Sequence, residues 1–170
     1  MSSAAAPVTS VSNTAYPIRR EEARDLAAVE ALVLAAFGPG RFAKTAERIR
    51  EVAALSAGFV SYEGDDLIGS VRLWSVTVGE ARSVFLGPIA VDQTRRSGGL
   101  GGPMVQACID EAKAQGLDGV LLVGDPPYFS RFGFEPAPEA VLAGPVDRRR
   151  VMWLPITDVA PVGSVAPVAG

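Results

Sequence analysis

The sequence predicts an α/β fold built on a mixed β-sheet with helices covering both faces. Three observations carry this. Apolar residues recur at helical spacing in separate segments, and β-branched runs fall between them. The run Val120-Leu121-Leu122-Val123 is wholly apolar, as expected of a strand buried on both sides. Strands and helices also interleave along the chain instead of segregating, which calls for helices on both faces of one sheet. At 170 residues, with 48% hydrophobic and 21% charged residues, the chain fits one domain with a full core.

Taken in order, Tyr16 to Arg19 reads as a first strand. Glu21 to Phe37 carries Leu26, Val29, Leu32 and Val33 at helical spacing and ends at Gly38-Pro39-Gly40. Ala43 to Leu55 reads as a second helix, with Ile49, Val52 and Ala53 as its apolar stripe. Phe59 to Tyr62 and Leu67 to Val78 form a hairpin across Glu63-Gly64-Asp65-Asp66, and a further strand runs from Ser83 to Val91. Pro88 cannot donate to a ladder, so pairing must fail or bulge there. Residues 103–115 form a helix closed by Gly116, followed by the strand Val120–Val123. A helical turn fits near 127–132, and Phe134, residues 140–143 and Val151–Pro155 supply the last strands. Residues 1–15 and 159–170, rich in Ala, Val, Pro and Ser or Gly, are expected to be flexible tails around a domain spanning 16–158.

Composition removes several function classes. The sequence has no histidine and a single cysteine, Cys108, so no metal site, histidine triad or intrachain disulfide is expected. Acid–base chemistry must then use carboxylates, tyrosine, lysine or water. A net charge of −3 argues against nucleic acid as a partner. The amino-terminal residues lack the basic segment and unbroken apolar core of a secretory signal, and no apolar run is long enough to span a membrane. The expectation is a cytoplasmic protein that does not associate with membranes.

The richest stretch is Ile89-Ala90-Val91-Asp92-Gln93-Thr94-Arg95-Arg96-Ser97-Gly98-Gly99-Leu100-Gly101-Gly102. A strand feeding a glycine loop that opens a helix directs bare N–H groups and a helix dipole at a phosphate. The dinucleotide fingerprint G-x-G-x-x-G is absent, as is the Gly-Lys-Ser/Thr of a nucleotide P-loop. What remains is Arg96-x-x-Gly99-x-Gly101. Downstream stands Gly124-Asp125-Pro126-Pro127-Tyr128-Phe129-Ser130-Arg131-Phe132-Gly133-Phe134.

These two elements, and their spacing across one helix and one buried strand, resemble the GNAT superfamily of acetyl-CoA-dependent N-acetyltransferases, over residues 16 to 135. The Gly-Asp-Pro entry resembles the subgroup with a shortened fourth helix. The resemblance implies a GNAT fold, its sheet splayed between strands 4 and 5, and transfer of an acetyl group from acetyl-CoA to a primary amine in a ternary complex. It implies that N–H groups of Arg96, Ser97, Gly98, Gly99, Leu100, Gly101 and Gly102 hold the pyrophosphate. Arg95 could stand in for the basic residue that Gly98 replaces. The main chain of Ile89 and Val91, with Ala90 between them, would pair with the pantetheine arm, leaving the thioester in the gap beside Pro88. The acceptor is a small-molecule or protein amine, and a homodimer is compatible with the pattern.

One departure bears on catalysis. Counting back from Gly133-Phe134, the family's tyrosine acid falls on Phe129, which cannot protonate a thiolate and either packs or, with Phe132, lines the pantetheine channel. Tyr128 is the candidate thiolate acid, or else an amphipathic tyrosine capping the short helix. Asp125 could accept the amine proton, or simply cap the helix at Pro126-Pro127. Glu80 and Asp92 are expected at the same sheet end, and Ser75 and Thr77 on the strand before the gap. Trp74, Trp153, Phe37 and Phe42 could floor an acceptor pocket or simply pack in the core, and Arg131 and Arg148-Arg149-Arg150 are phosphate contacts or surface charge. Phe129 also motivates two alternatives: a non-catalytic acyl-CoA-binding module, and an N-acyltransferase for longer acyl chains.

Overall fold

The computed structural model describes residues 17–37, 45–92 and 99–169. The loop residues Arg95, Arg96, Ser97 and Gly98 lie outside them, as do Phe42 and the amino-terminal residues through 16. In order, the chain forms β1 (Ile18–Arg20), a 3-10 turn (Ala23–Asp25), α1 (Leu26–Phe37), α2 (Thr45–Val52), β2 (Leu55–Glu63), β3 (Asp66–Val78) and β4 (Ala81–Val91). Then follow α3 (Gly101–Ala114), β5 (Gly119–Val123), α4 (Pro126–Phe129), β6 (Glu135–Pro136), β7 (Ala140–Val141), β8 (Val151–Pro155) and β9 (Gly163–Pro167).

The sheet order is β1-β2-β3-β4-β5-β8-β6, with β9 joined to β3 and β7. β4 and β5 run parallel, while their outer neighbours β3 and β8 run antiparallel to them. Strand alternation distributes the helices. Ile89 and Val91 join the cluster of Met104, Val105, Cys108 and Ile109 from α3, whereas Ala90 between them joins Val29 and Val33 of α1. α1 and α3 therefore cover opposite faces of a mixed sheet, as the sequence predicts. Ile49 and Ala53, at the end of α2, pack with Val76, Phe85, Leu121 and Trp153. No described helix is long and apolar enough to cross a membrane.

Three expectations need correction. Residues 159–170 are not simply a tail, because β9 pairs antiparallel with β3 through Val165↔Val78 and Pro167↔Val76. β2 stops pairing with β3 at Leu55↔Trp74, and β9 takes over that edge where β2 leaves it. The second helix ends at Val52, since Leu55 is already drawn into the ladder opposite Trp74. Leu26, expected in the apolar stripe of the first helix, is 47% exposed, and Val29 and Val33 carry the packing.

Two irregularities shape the sheet centre. Val71 pairs with Ile89 and Leu73 with Leu86, so Arg72 alone faces both Gly87 and Pro88. This is the bulge that Pro88 requires. Between β4 and β5, pairing covers only Ser83↔Gly119, Val84↔Val120 and Phe85↔Leu121. β4 continues to Val91 and β5 to Val123, so past Phe85 the two strands diverge and leave a gap.

Candidate functional site

Side chains from the α1/α2 face hold the bulge at the mouth of this gap. Trp74 Nε1 donates to the Gly87 carbonyl at 2.7 Å, satisfying an oxygen that the bulge removes from the ladder. Arg72 makes a bidentate pair with Glu21, Nε to Oε1 at 3.0 Å and Nη2 to Oε2 at 2.6 Å, and its guanidinium lies 5.9 Å from the Trp74 ring centroid. A planar fork on a carboxylate fixes both partners, and here both side chains are largely buried. The Arg50 guanidinium lies against Gly87, with Nη1 3.6 Å from where a Cβ would stand there. The sequence offers Trp74 as a pocket floor or a core residue; its bond to Gly87 depends on a bulge that tertiary pairing creates.

At the other end of β4 the chain enters the start of α3. Gly99 has φ +87, a conformation that favours glycine. Leu100 is 1% exposed and drives its side chain into the core, so any ligand contact it makes is through its backbone. Gly69 on β3 makes room for it: a Cβ there would stand 2.6 Å from Leu100 Cδ2 and 3.1 Å from Met104 Sδ. Leu100 thus seats the start of α3 on the sheet. Leu100, at the N-cap of α3, makes no side-chain capping bond, so this residue leaves the dipole end and first-turn donors uncapped.

The segment after β5 closes over this helix start. A Cβ on Gly101 would stand 3.1 Å from Tyr128 Oη, and one on Gly102 3.9 Å from Phe132 Cζ. Tyr128 and Phe132 therefore line the first turn of α3. Phe129 lies over Gly124, where an added Cβ would overlap its ring, and meets Phe134 at 5.8 Å between centroids. It is half-buried against the α3-side core, which agrees with the packing reading for this residue. Tyr128 contacts Phe129 edge-on at 4.9 Å and carries the Arg131 guanidinium 4.6 Å from its ring centroid.

Asp125 stands at the N-cap of α4 with extended backbone, and its carbonyl accepts from Tyr128 N at 3.1 Å and Phe129 N at 3.0 Å. Its carboxylate makes no capping bond, so the capping reading holds for its main chain alone. Arg150 Nε donates to the Gly124 carbonyl at 3.2 Å, beside Asp125. This places the last residue of the arginine triplet at the gap, while Arg149 pairs with Asp147 and Arg148 donates to the Pro138 carbonyl. Ile89 and Val91 sit past the divergence, paired with Val71 and Gly69 of β3, and Ala90 is buried toward α1.

Other candidates fall away. Glu80 lies in the β3–β4 turn and Asp92 follows the far end of β4, so they occupy opposite sheet ends. Ser75 and Thr77 pair with Val84 and Arg82, on the closed side of the divergence. Trp153 is 3% exposed and lies in the core. Burial, and secondarily the charge of Glu111, pushes the Cys108 thiol well up, which keeps it neutral and inert.

Comparison with known proteins gives one answer. The Acetyltransferase (GNAT) family matches residues 22–134. The Escherichia coli (strain K12) protein named "Uncharacterized N-acetyltransferase YhbS" is 35% identical over 121 residues, 69% of this chain and 72% of its own length. The crystal structure of YhbS from Escherichia coli in complex with CoA superposes with a TM-score of 0.77 at 28% identity, covering 91% of each chain. A GNAT family acetyltransferase from Brucella melitensis in complex with acetyl-CoA superposes at 0.70 and 27% identity, covering 91% of this chain and 96% of its own. Splayed strands, β4 bulge and sequence likeness agree, and the chain belongs to the GNAT family of acetyltransferases.

Proposed function

We propose that this protein binds acetyl-CoA along the β4–β5 gap and transfers its acetyl group to a primary amine. The observation that carries the reading is the divergence of β4 from β5 past Phe85, with the glycine-rich start of α3 at one end and the Gly87-Pro88 bulge at the other. The CoA-bound and acetyl-CoA-bound relatives support it.

Ile89 and Val91 pair through their main chain with the pantetheine arm. The N–H groups of Gly99 to Gly102 meet the pyrophosphate, with Arg95, Arg96, Ser97 and Gly98 completing the loop. Phe132 walls the channel, and Phe129 packs over Gly124. The amine loses its proton toward Asp125 or water, its nitrogen bonds to the thioester carbon, and the C–S bond breaks. The leaving thiolate takes a proton from solvent, since the Tyr128 hydroxyl, beside Gly101, stands at the pyrophosphate end of the arm. Positioning two reactants in this way supplies much of the rate even where the acid is weak.

Phe129 at the position expected for the acid favours a second reading, an acyl-CoA-binding module without turnover. Incubation with acetyl-CoA and a broad amine panel, read as free thiol, separates the two. Amine-dependent thiol release supports transfer; tight binding with none across the panel supports the module. Comparing acetyl-, propionyl- and longer acyl-CoA in the same assay sets the acyl preference.

A further inference from the structure

Gly124 ends β5 at the mouth of the gap, and a charge of opposite sign stands on each side of it. The Arg150 guanidinium is held at the strand end by its Nε bond to the Gly124 carbonyl. The main chain is fixed as well, with Gly124 N donating to Arg150 O and Arg150 N to Asp147 O. No carboxylate among the described residues makes an ion pair with Arg150; Asp147, whose charge also acts on Arg150, is bonded to Arg149. Asp125 is exposed, and its carboxylate makes neither a capping bond nor an ion pair among the described residues. The two charges are not joined to each other, although neighbouring surface charges commonly are. Across the gap, on the β4 side, the Arg50 guanidinium lies against Gly87. Of the ionised groups nearer the bulge, Arg72 and Glu21 neutralise one another.

From this arrangement we propose that the acceptor is a small amine carrying an oxyanion within a few bonds of its nucleophilic nitrogen, as an α-amino acid does. The inference rests on the acetyl-transfer reading above and names its substrate class. Arg150, with Nε committed to Gly124, turns its two terminal nitrogens to the oxyanion, the geometry in which arginine binds carboxylate or phosphate through a fork. Asp125 receives the ammonium and its proton, leaving the neutral nitrogen to attack. A plain alkylamine would leave the two terminal nitrogens of Arg150 unmatched, and a protein amine would bring an oxyanion only by accident of its sequence.

The test uses the whole protein with saturating acetyl-CoA and matched amines: phenylalanine against phenethylamine, and aminoethylphosphonate against ethylamine. Free thiol reports transfer, and thermal shift of the CoA-loaded protein reports acceptor binding without chemistry. The expected result is kcat/KM at least ~10-fold higher for one or both charged members, the scale of a charge-assisted contact; which pair shows it distinguishes carboxylate from phosphonate. Arg150→Gln should erase the preference through the acceptor KM and leave acetyl-CoA affinity unchanged. Arg150→Lys should restore part of it, and Arg148→Gln, which removes the same charge nearby without freeing a carboxylate, should keep it. Equal handling of the members of both pairs in both readouts overturns the proposal, as does a preference that survives Arg150→Gln. Charged amines that bind preferentially yet release no thiol would instead overturn acetyl transfer and leave the recognition intact.

Discussion

Tyr128 and Phe129 are adjacent in the chain but serve different places in the fold. The Phe129 ring is spent on packing over Gly124 and against Phe134, while the Tyr128 hydroxyl reaches the first turn of α3. Tyr128→Phe lowers kcat by about 10-fold or more with little change in acetyl-CoA affinity only if Tyr128 is the acid; a hydroxyl that serves the pyrophosphate beside Gly101 predicts weaker affinity instead. Steady-state kinetics beside calorimetry check this; an unchanged kcat would leave the thiolate to solvent. A different residue governs the response to acid. Asp25 is 1% exposed and accepts from both terminal nitrogens of Arg19 at 2.8 and 2.9 Å, from Glu22 N at 2.7 Å and from Tyr62 Oη at 2.8 Å. The Arg19 bonds, together with the Glu22 and Tyr62 bonds, hold its carboxyl far below the usual carboxylate range despite burial. A depressed carboxyl contributes stability above its unfolded pKa and loses it as pH falls toward the folded value. Asp25→Asn should therefore lower Tm at pH 7 by about 5 °C or more. That deficit should narrow below about pH 4, where the unfolded-state carboxyl is already protonated. A deficit that stays constant across thermal melts from pH 7 to 3 would contradict this assignment.

At the scale of elements, β9 shows what pattern reading can and cannot reach. Gly163-Ser164-Val165-Ala166-Pro167 has one buried apolar residue, Val165, and ends in proline, so nothing local marks it as a strand. It becomes one because β3 is longer than β2 and offers an open edge at Val76–Val78. Val168 N then donates to Ser75 O, and Ala54 N to Val168 O, tying the segment to the start of β2. Removing residues 161–170 should lower Tm by about 5 °C or more, since a ladder edge is uncovered and Val165 leaves the core. An unchanged melting curve would show that β9 contributes nothing to stability. By contrast, the β2–β3 hairpin, β4, α3 and β5 are legible directly, because runs of Val, Ile and Leu between glycine turns fix both type and position. The Pro88 bulge is legible too, since a proline inside a central strand must break the ladder. The Trp74–Gly87 bond and the Glu21–Arg72 pair are not, because they join residues brought together only by that bulge and by the turn before α1.

At the scale of the molecule, the sheet is closed by parallel pairing at Ser83–Phe85 and opened beyond it, and the rest of the fold keeps that opening in place. Trp74, Arg72 and Glu21 hold the bulge, Leu100 seated over Gly69 anchors the α3 end, and Phe129 over Gly124 sets the β5 lip. Each of these uses core packing or a buried bond, so the gap is pre-formed and needs no ligand to create it. The most direct test of this account is calorimetric titration of acetyl-CoA into the wild-type protein and into Gly99→Val. Gly99 has φ +87 with open space where a side chain would stand, so the substitution strains the loop backbone without disturbing the core. The account predicts one acetyl-CoA bound per chain, and affinity at least ~10-fold weaker in a folded Gly99→Val protein, about 1.4 kcal/mol of binding free energy. No binding by the wild type, or equal affinity in the variant, would contradict it.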